Sequence, residues 1–101
     1  MMYTLNVTLV ALLITASCAA FAHQGDMNRD ARVVAAAERC EGIYKIGNKP
    51  LKAKRMDNLA DDIRRDWRKQ PAMFNAAVNQ HKKWASNDLG TLKKCNAFVW
   101  R

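Results

Sequence analysis

Cys18, Cys40 and Cys95 are the three cysteines of this 101-residue chain, and thiol chemistry is the first possibility they raise. No two of them have the Cys-x-x-Cys spacing of a redox pair. Nucleophilic catalysis needs a nucleophile, a base and an orienting group within hydrogen-bond reach. Beyond residue 22 the chain offers one serine, Ser86, in the helix-capping sequence Ser86-Asn87-Asp88, and two histidines, His23 and His81. Paired carboxylates for glycoside chemistry need one acid in an apolar pocket that raises its pKa. Here Asp57, Asp61 and Asp62 stand beside Arg64, Arg65, Arg68 and Lys69, which favours ionised carboxylates instead. No glycine-rich phosphate loop is present. The expectation is a protein that is not an enzyme and needs no cofactor.

Two kinds of binding chemistry stay open. If a leader is removed after Ala22, the chain starts at His23, whose amine and imidazole together suit a copper ion. His81 would then supply a second imidazole, and Met27, Met56 and Met73 soft sulfur ligands. Against this, His81 sits at helical spacing between Val78 and Trp84, where a hydrogen-bonded, partly buried histidine serves as well. The methionines also read as core filler or surface residues. The second chemistry is charge. Seventeen Lys and Arg against nine Asp and Glu leave a net charge of +8, which favours acidic partners: anionic lipid headgroups met through the basic surface, cell-wall polymers, an acidic protein or nucleic acid. Lys45, Lys49, Lys52, Lys54 and Arg55 cluster in one short stretch and, with Trp100, are the candidate partner-binding residues. The bland reading of the cluster is a solubilising loop. The run from Asp57 to Lys69 reads mainly as a solvated helix face, with Asp61 and Arg65 as an i,i+4 pair.

The first 22 residues set the compartment. Met1–Ala22 has no charged side chain, and Val7–Ala22 is almost wholly apolar or small. Ala20 and Ala22 provide the small residues that a signal peptidase requires, so cleavage is expected between Ala22 and His23. Two competing readings are a retained anchor and a lipoprotein with Cys18 lipidated. The run is short for an anchor, since about 20 residues are needed to cross a bilayer. The lipoprotein reading lacks Leu at the third position before Cys18. Removal of the leader takes Cys18 with it and leaves Cys40 and Cys95, which in an exported small domain read as one disulfide.

The elements that must carry these groups are helical, because apolar residues recur at spacings of three and four rather than two. A first helix is expected from Asp26–Asp30, with Val33, Ala36, Ala37, Cys40, Ile43 and Tyr44 on its inner face. Gly47-Asn48-Lys49-Pro50 should stop it, with Gly47 in the left-handed cap. A second helix from Leu51 or Lys52 to Gln70 has the stripe Met56, Leu59, Ala60, Ile63 and Trp67. Pro71 opens a third, with Phe74, Ala77, Val78, His81, Trp84 and Ala85 inward, ended by Ser86-Asn87-Asp88. A fourth should run from Leu89 to about Trp100 and bury Leu92, Cys95, Phe98 and Val99.

The fold class is therefore all-α: a small bundle of about four short helices (residues 23–101) closed by one disulfide, after a signal peptide (1–22). The function expected is that of a periplasmic or secreted basic accessory protein. It would act on a macromolecular partner in the cell envelope: a transfer machine, a wall-active enzyme or a toxin. A secreted membrane- or wall-active effector and a copper-binding protein are the alternatives. Nucleic acid does not suit a chain outside the cytoplasm unless the protein serves DNA transfer.

Overall fold

The computed structural model describes residues 26–98 and Trp100. The expected leader, its Ala22–His23 cleavage position, Cys18, His23 and the expected burial of Val99 lie outside the described residues. Among the described residues there are helices and no strand: α1 (26–46), α2 (Pro50–Asp66), α3 (Pro71–Asp88) and α4 (Leu92–Ala97). The all-α expectation holds.

Helix α1 is the centre of the core, and it is buried more completely than a one-sided stripe implies. Met27, Ala31, the whole run Val33–Ala37, Cys40 and Tyr44 are buried, while Ile43 is only partly so. Five consecutive buried residues cover every side of a helix, which happens only where no polar side chain interrupts. The alanines make this possible, because their short side chains let neighbouring helices approach from several directions. Helix α2 contributes Ala53, Ala60 and Ile63, and α3 contributes Phe74, Val78 and Ala85.

The turn between α1 and α2 departs from expectation in an instructive way. The left-handed residue is Asn48 (φ 56°), not Gly47. Asn48 N–H donates to the Lys45 carbonyl (3.2 Å) and Lys49 N–H to that of Tyr44 (2.8 Å), the bonding pattern of a Schellman cap with Asn48 as its left-handed residue. Gly47 lies close against α4: a Cβ there would stand 2.9 Å from Leu92 Cδ1, so the end of that side chain would have to shift. Pro50 then opens α2 with its φ already helical and no N–H to satisfy.

Helix α2 ends at Asp66 rather than Gln70, with Trp67 as its C-cap and Pro71 opening α3. Proline disfavours the helical conformation in the residue before it, and Gln70 takes φ −134°, ψ 53°. Trp67 stays buried beyond the helix, where its indole N–H donates to Asp30 (2.9 Å) and its ring stacks on Phe74. Arg64 bridges three helices, donating to Glu38 of α1 (2.6 Å) and to Asn75 of α3. Arg65 pairs with Asp62 rather than Asp61.

The end of the chain is also re-divided. Ser86-Asn87-Asp88 belongs to α3, and Leu89 is a buried connector rather than the start of the last helix. Thr91 caps α4, its hydroxyl accepting from Lys94 N–H (3.2 Å). Gly90 is a poor helix residue and Leu89 is held in the core, so α4 can begin only after both. Phe98 leaves the helix in extended backbone and packs with Trp84 and Trp100 at centroid distances of 5.9 and 4.5 Å. Cys40 and Cys95, both fully buried, are joined with S–S 2.12 Å and Cα–Cα 5.7 Å. The disulfide thus fastens α4 to the middle of the core.

Candidate functional site

The disulfide decides which residues of α1 and α4 meet. With Cys95 against Cys40, the next residue, Asn96, arrives one helical turn further along α1, beside Tyr44. Tyr44 Oη donates to Asn96 Oδ1 at 2.8 Å. Lys52, in the first turn of α2, donates to the same oxygen at 3.2 Å. Its Nζ lies 5.6 Å from the Tyr44 ring centroid, within cation–π range.

These residues line a surface cleft of about 190 Å³ together with Arg55, Met56, Cys95 and Trp100. Lys52, Arg55 and Met56 stand three and four residues apart, so α2 turns all three to the same side. Trp100 completes the lining, its ring edge-on to Phe98. The site therefore has one half-buried aromatic wall, a methionine, and a polar rim.

The chemistry of the rim is that of a donor site. Burial raises the Tyr44 phenol above its ordinary value, so it remains protonated and donates its hydrogen. Asn96 commits its carbonyl oxygen to Tyr44 and Lys52. What faces a ligand is then the ammonium of Lys52 and the guanidinium of Arg55, whose planar fork matches a carboxylate. Among the described residues no acidic side chain lines the cleft. An anionic or carbonyl-bearing group with an apolar neighbour fits this arrangement.

The six expected partner-binding residues divide into two groups. Lys52, Arg55 and Trp100 come together at the cleft. Lys45, Lys49 and Lys54 do not. Lys45 bonds Glu41 at 2.8 Å, and that hydrogen bond and charge raise its pKa above the ordinary lysine value. Lys49 lies on the turn, lining a shallow hollow of about 270 Å³ with Asn48, Pro50, Leu51 and Lys52. Lys54 is exposed on α2. Tyr44 and Asn96 were not singled out as site residues. The signal that finds them is the disulfide itself, because a bond between residues 40 and 95 brings 44 and 96 within reach.

The residues considered for a metal are dispersed. His81 Nε2 bonds Asn28 Oδ1 at 2.8 Å, the contact of a partly buried structural histidine. Met27 is buried, Met56 lines the cleft, and Met73 is half exposed on a groove that Met27 also lines. Among the described residues, no three His, Cys, Asp or Glu side chains are grouped so as to hold a metal ion. Comparison of the chain with protein-family models, with curated proteins and with solved structures found no match.

Proposed function

We propose that this chain is a small basic accessory protein of the cell envelope, exported and cleaved after Ala22, that works without catalysis by binding a protein partner. The cleft between α2 and α4 receives an acidic segment of that partner. The observation that carries this reading is the convergence on one cleft of Lys52 and Arg55 with Trp100, more than forty residues away in sequence, with Tyr44 and Asn96 holding the rim in place. Exposed ion pairs contribute only about 0.2–1 kcal/mol each. Charge therefore sets the preference for an acidic ligand, and the half-buried Trp100 face supplies the apolar anchor that binding sites favour. The candidate partners are a component of an envelope-spanning transfer machine, a wall-active enzyme, and a toxin that the protein neutralises.

The test is expression with the native leader, crosslinking in the periplasm, and affinity recovery, with the variants Lys52→Glu/Arg55→Glu and Trp100→Ala beside the wild type. The mature protein should begin at His23 and recover a defined partner, and the charge-reversed variant should lose it. Equal recovery by wild type and both variants removes the cleft from consideration. A retained leader, with both thiols alkylatable, overturns the export on which the reading rests.

A further inference from the structure

The two most exposed large apolar side chains among the described residues are Ile46 and Leu51, 88% and 76% exposed. They flank the same tight turn, at the last residue of α1 and the second residue of α2. Single exposed aliphatics are ordinary on protein surfaces. Two at one protruding corner, on a backbone locked by the Asn48 cap and Pro50, form a tip rather than scatter. Around this tip stand Lys45, Lys49, Lys52, Lys54 and Arg55, all exposed. Lys54 lies three residues beyond Leu51 and shares its face of α2. The acids of the same stretch are Glu41 and Asp57, both acting on Lys45. The remaining four cations give the corner a net positive charge.

We infer that the α1–α2 turn is a membrane-docking tip, which rests on anionic phospholipid headgroups with Ile46 and Leu51 inserted at the headgroup–acyl boundary. A bilayer surface is the partner that accepts both features together. Its boundary region takes isolated aliphatic side chains, while long lysine side chains lie along it with their ammonium groups among the phosphates. Anionic headgroups attract each nearby Lys or Arg, and one weak apolar anchor with a basic patch is a two-signal arrangement sufficient for reversible binding. Because the turn is already rigid, docking orders little additional backbone. Among the described residues no helix is long and apolar enough to cross a membrane. Lys52 and Arg55 stand between the tip and the cleft, whereas Ile46, Leu51, Lys49 and Lys54 belong to the tip and not the cleft, and Trp100 to the cleft and not the tip, so variants at these residues tell the two readings apart.

The experiment is co-sedimentation of the purified oxidised protein with vesicles of phosphatidylglycerol and phosphatidylethanolamine in equal parts, against vesicles of phosphatidylcholine alone. The protein should sediment with the first and not the second, and added salt should release it within the range that screens exposed charges. Ile46→Ser/Leu51→Ser should weaken partitioning at least about tenfold, since withdrawing even one aliphatic side chain from an apolar medium is worth roughly that factor. Lys49→Glu/Lys54→Glu should abolish it. Both pairs are exposed, so circular dichroism and thermal unfolding should match the wild type and show that the fold is intact. Trp100→Ala should still bind vesicles, which separates the tip from the cleft. No sedimentation with anionic vesicles at low salt overturns the inference. So does binding that the serine pair leaves unchanged, because charge without insertion would then account for it, and so does equal binding to the neutral vesicles.

Discussion

Replacing Cys40 and Cys95 together by alanine tests what the disulfide contributes, and its size follows from the chain. The bond joins residues 55 apart in sequence. Cross-linking a loop of that length restricts the unfolded chain by about 4 kcal/mol at 25 °C in the entropic account. The folded state has little with which to replace it. Helix α4 has six residues, and its side-chain cap is one hydrogen bond from Thr91. Isolated helices shorter than about 12–15 residues are marginal in water, so α4 depends on the bond and on packing by Leu92 and Phe98. For a domain of this size each kcal/mol moves the melting temperature by about 4–8 °C, which makes the expected loss roughly 15–30 °C. Urea unfolding followed by circular dichroism should show the midpoint fall in the double variant, and by a similar amount in wild type under thiol reductant. Because the unlinked chain exposes more surface when unfolded, the m-value should rise slightly. Tryptophan fluorescence should change first, since Trp84 and Trp100 flank Phe98 just beyond the bond. A loss below about 1 kcal/mol would refute the reasoning, because an unfolded chain that keeps residues 40 and 95 together without the bond gains nothing from it.

Further outcomes are expected at the α1–α2 turn and at Tyr44. Asn48→Ala should cost about 1 kcal/mol, because alanine resists the left-handed backbone that Asn48 adopts, whereas Asn48→Gly should be neutral or stabilising. Gly47→Ala should cost about 1 kcal/mol by displacing the end of Leu92, and a double-mutant cycle with Leu92→Ala should recover most of it. Burial holds the Tyr44 phenol above its ordinary 10.0, so the folded chain keeps that proton to higher pH than the unfolded chain. Lys45, bonded to Glu41, behaves in the same direction above its ordinary 10.5. Their contributions are present in full below those ordinary values and are lost as pH rises through the folded values. Unfolding measured against pH should therefore show an alkaline decline. Tyr44→Phe should lower stability by about 1 kcal/mol at neutral pH through the lost Asn96 bond, and should flatten part of the decline. Parallel alkaline curves for the two proteins would rule out the tyrosine's share.

The parts of this fold that are legible in the sequence are those set by local chemistry. Pro71 as the first residue of α3 follows from its missing N–H, and the break after residue 46 follows from Gly47 and Asn48, poor helix formers, with Pro50 unable to continue α1. The assignments that changed depend on contacts remote in sequence. Gly47 and Asn48 exchange roles because Leu92, more than forty residues away, occupies the space beside residue 47. The last helix shortens because Leu89 is anchored in the core and Thr91 is the better cap. The covering of α1 on all sides was hidden by alanine, which gives periodicity analysis almost no signal although Ala31, Ala35, Ala36 and Ala37 are all buried. Half of the candidate site was legible, since Lys52 and Arg55 share a helix face and belong to an evident basic cluster. Asn96 was not, because its value depends on where the disulfide places α4. For Ile46 and Leu51, residue type points inward and helical position points outward, and position prevails.

The cleft and the disulfide are parts of one arrangement, and this bears on where the protein can act. Tyr44, Lys52 and Arg55 lie on α1 and α2, which the core holds directly. Asn96 and Trp100 lie on the segment that Cys95 fastens. With the bond open, α4 loses its strongest tie to Cys40 and the hydrogen bonds to Asn96 lose their partner, while α1, α2 and α3 keep most of the buried residues. A reduced chain should thus remain largely helical at low temperature yet present no complete cleft. Binding to the recovered partner should be strong for the oxidised wild type and much weaker for Cys40→Ala/Cys95→Ala, even at temperatures where the variant is folded. Vesicle binding through Ile46 and Leu51, on the turn between α1 and α2, should change far less. On the proposed reading the protein would be assembled for partner binding only in an oxidising space, the compartment to which the expected leader would direct it. A double variant that binds the partner as tightly as the oxidised wild type would separate the disulfide from the site and leave it a purely stabilising feature.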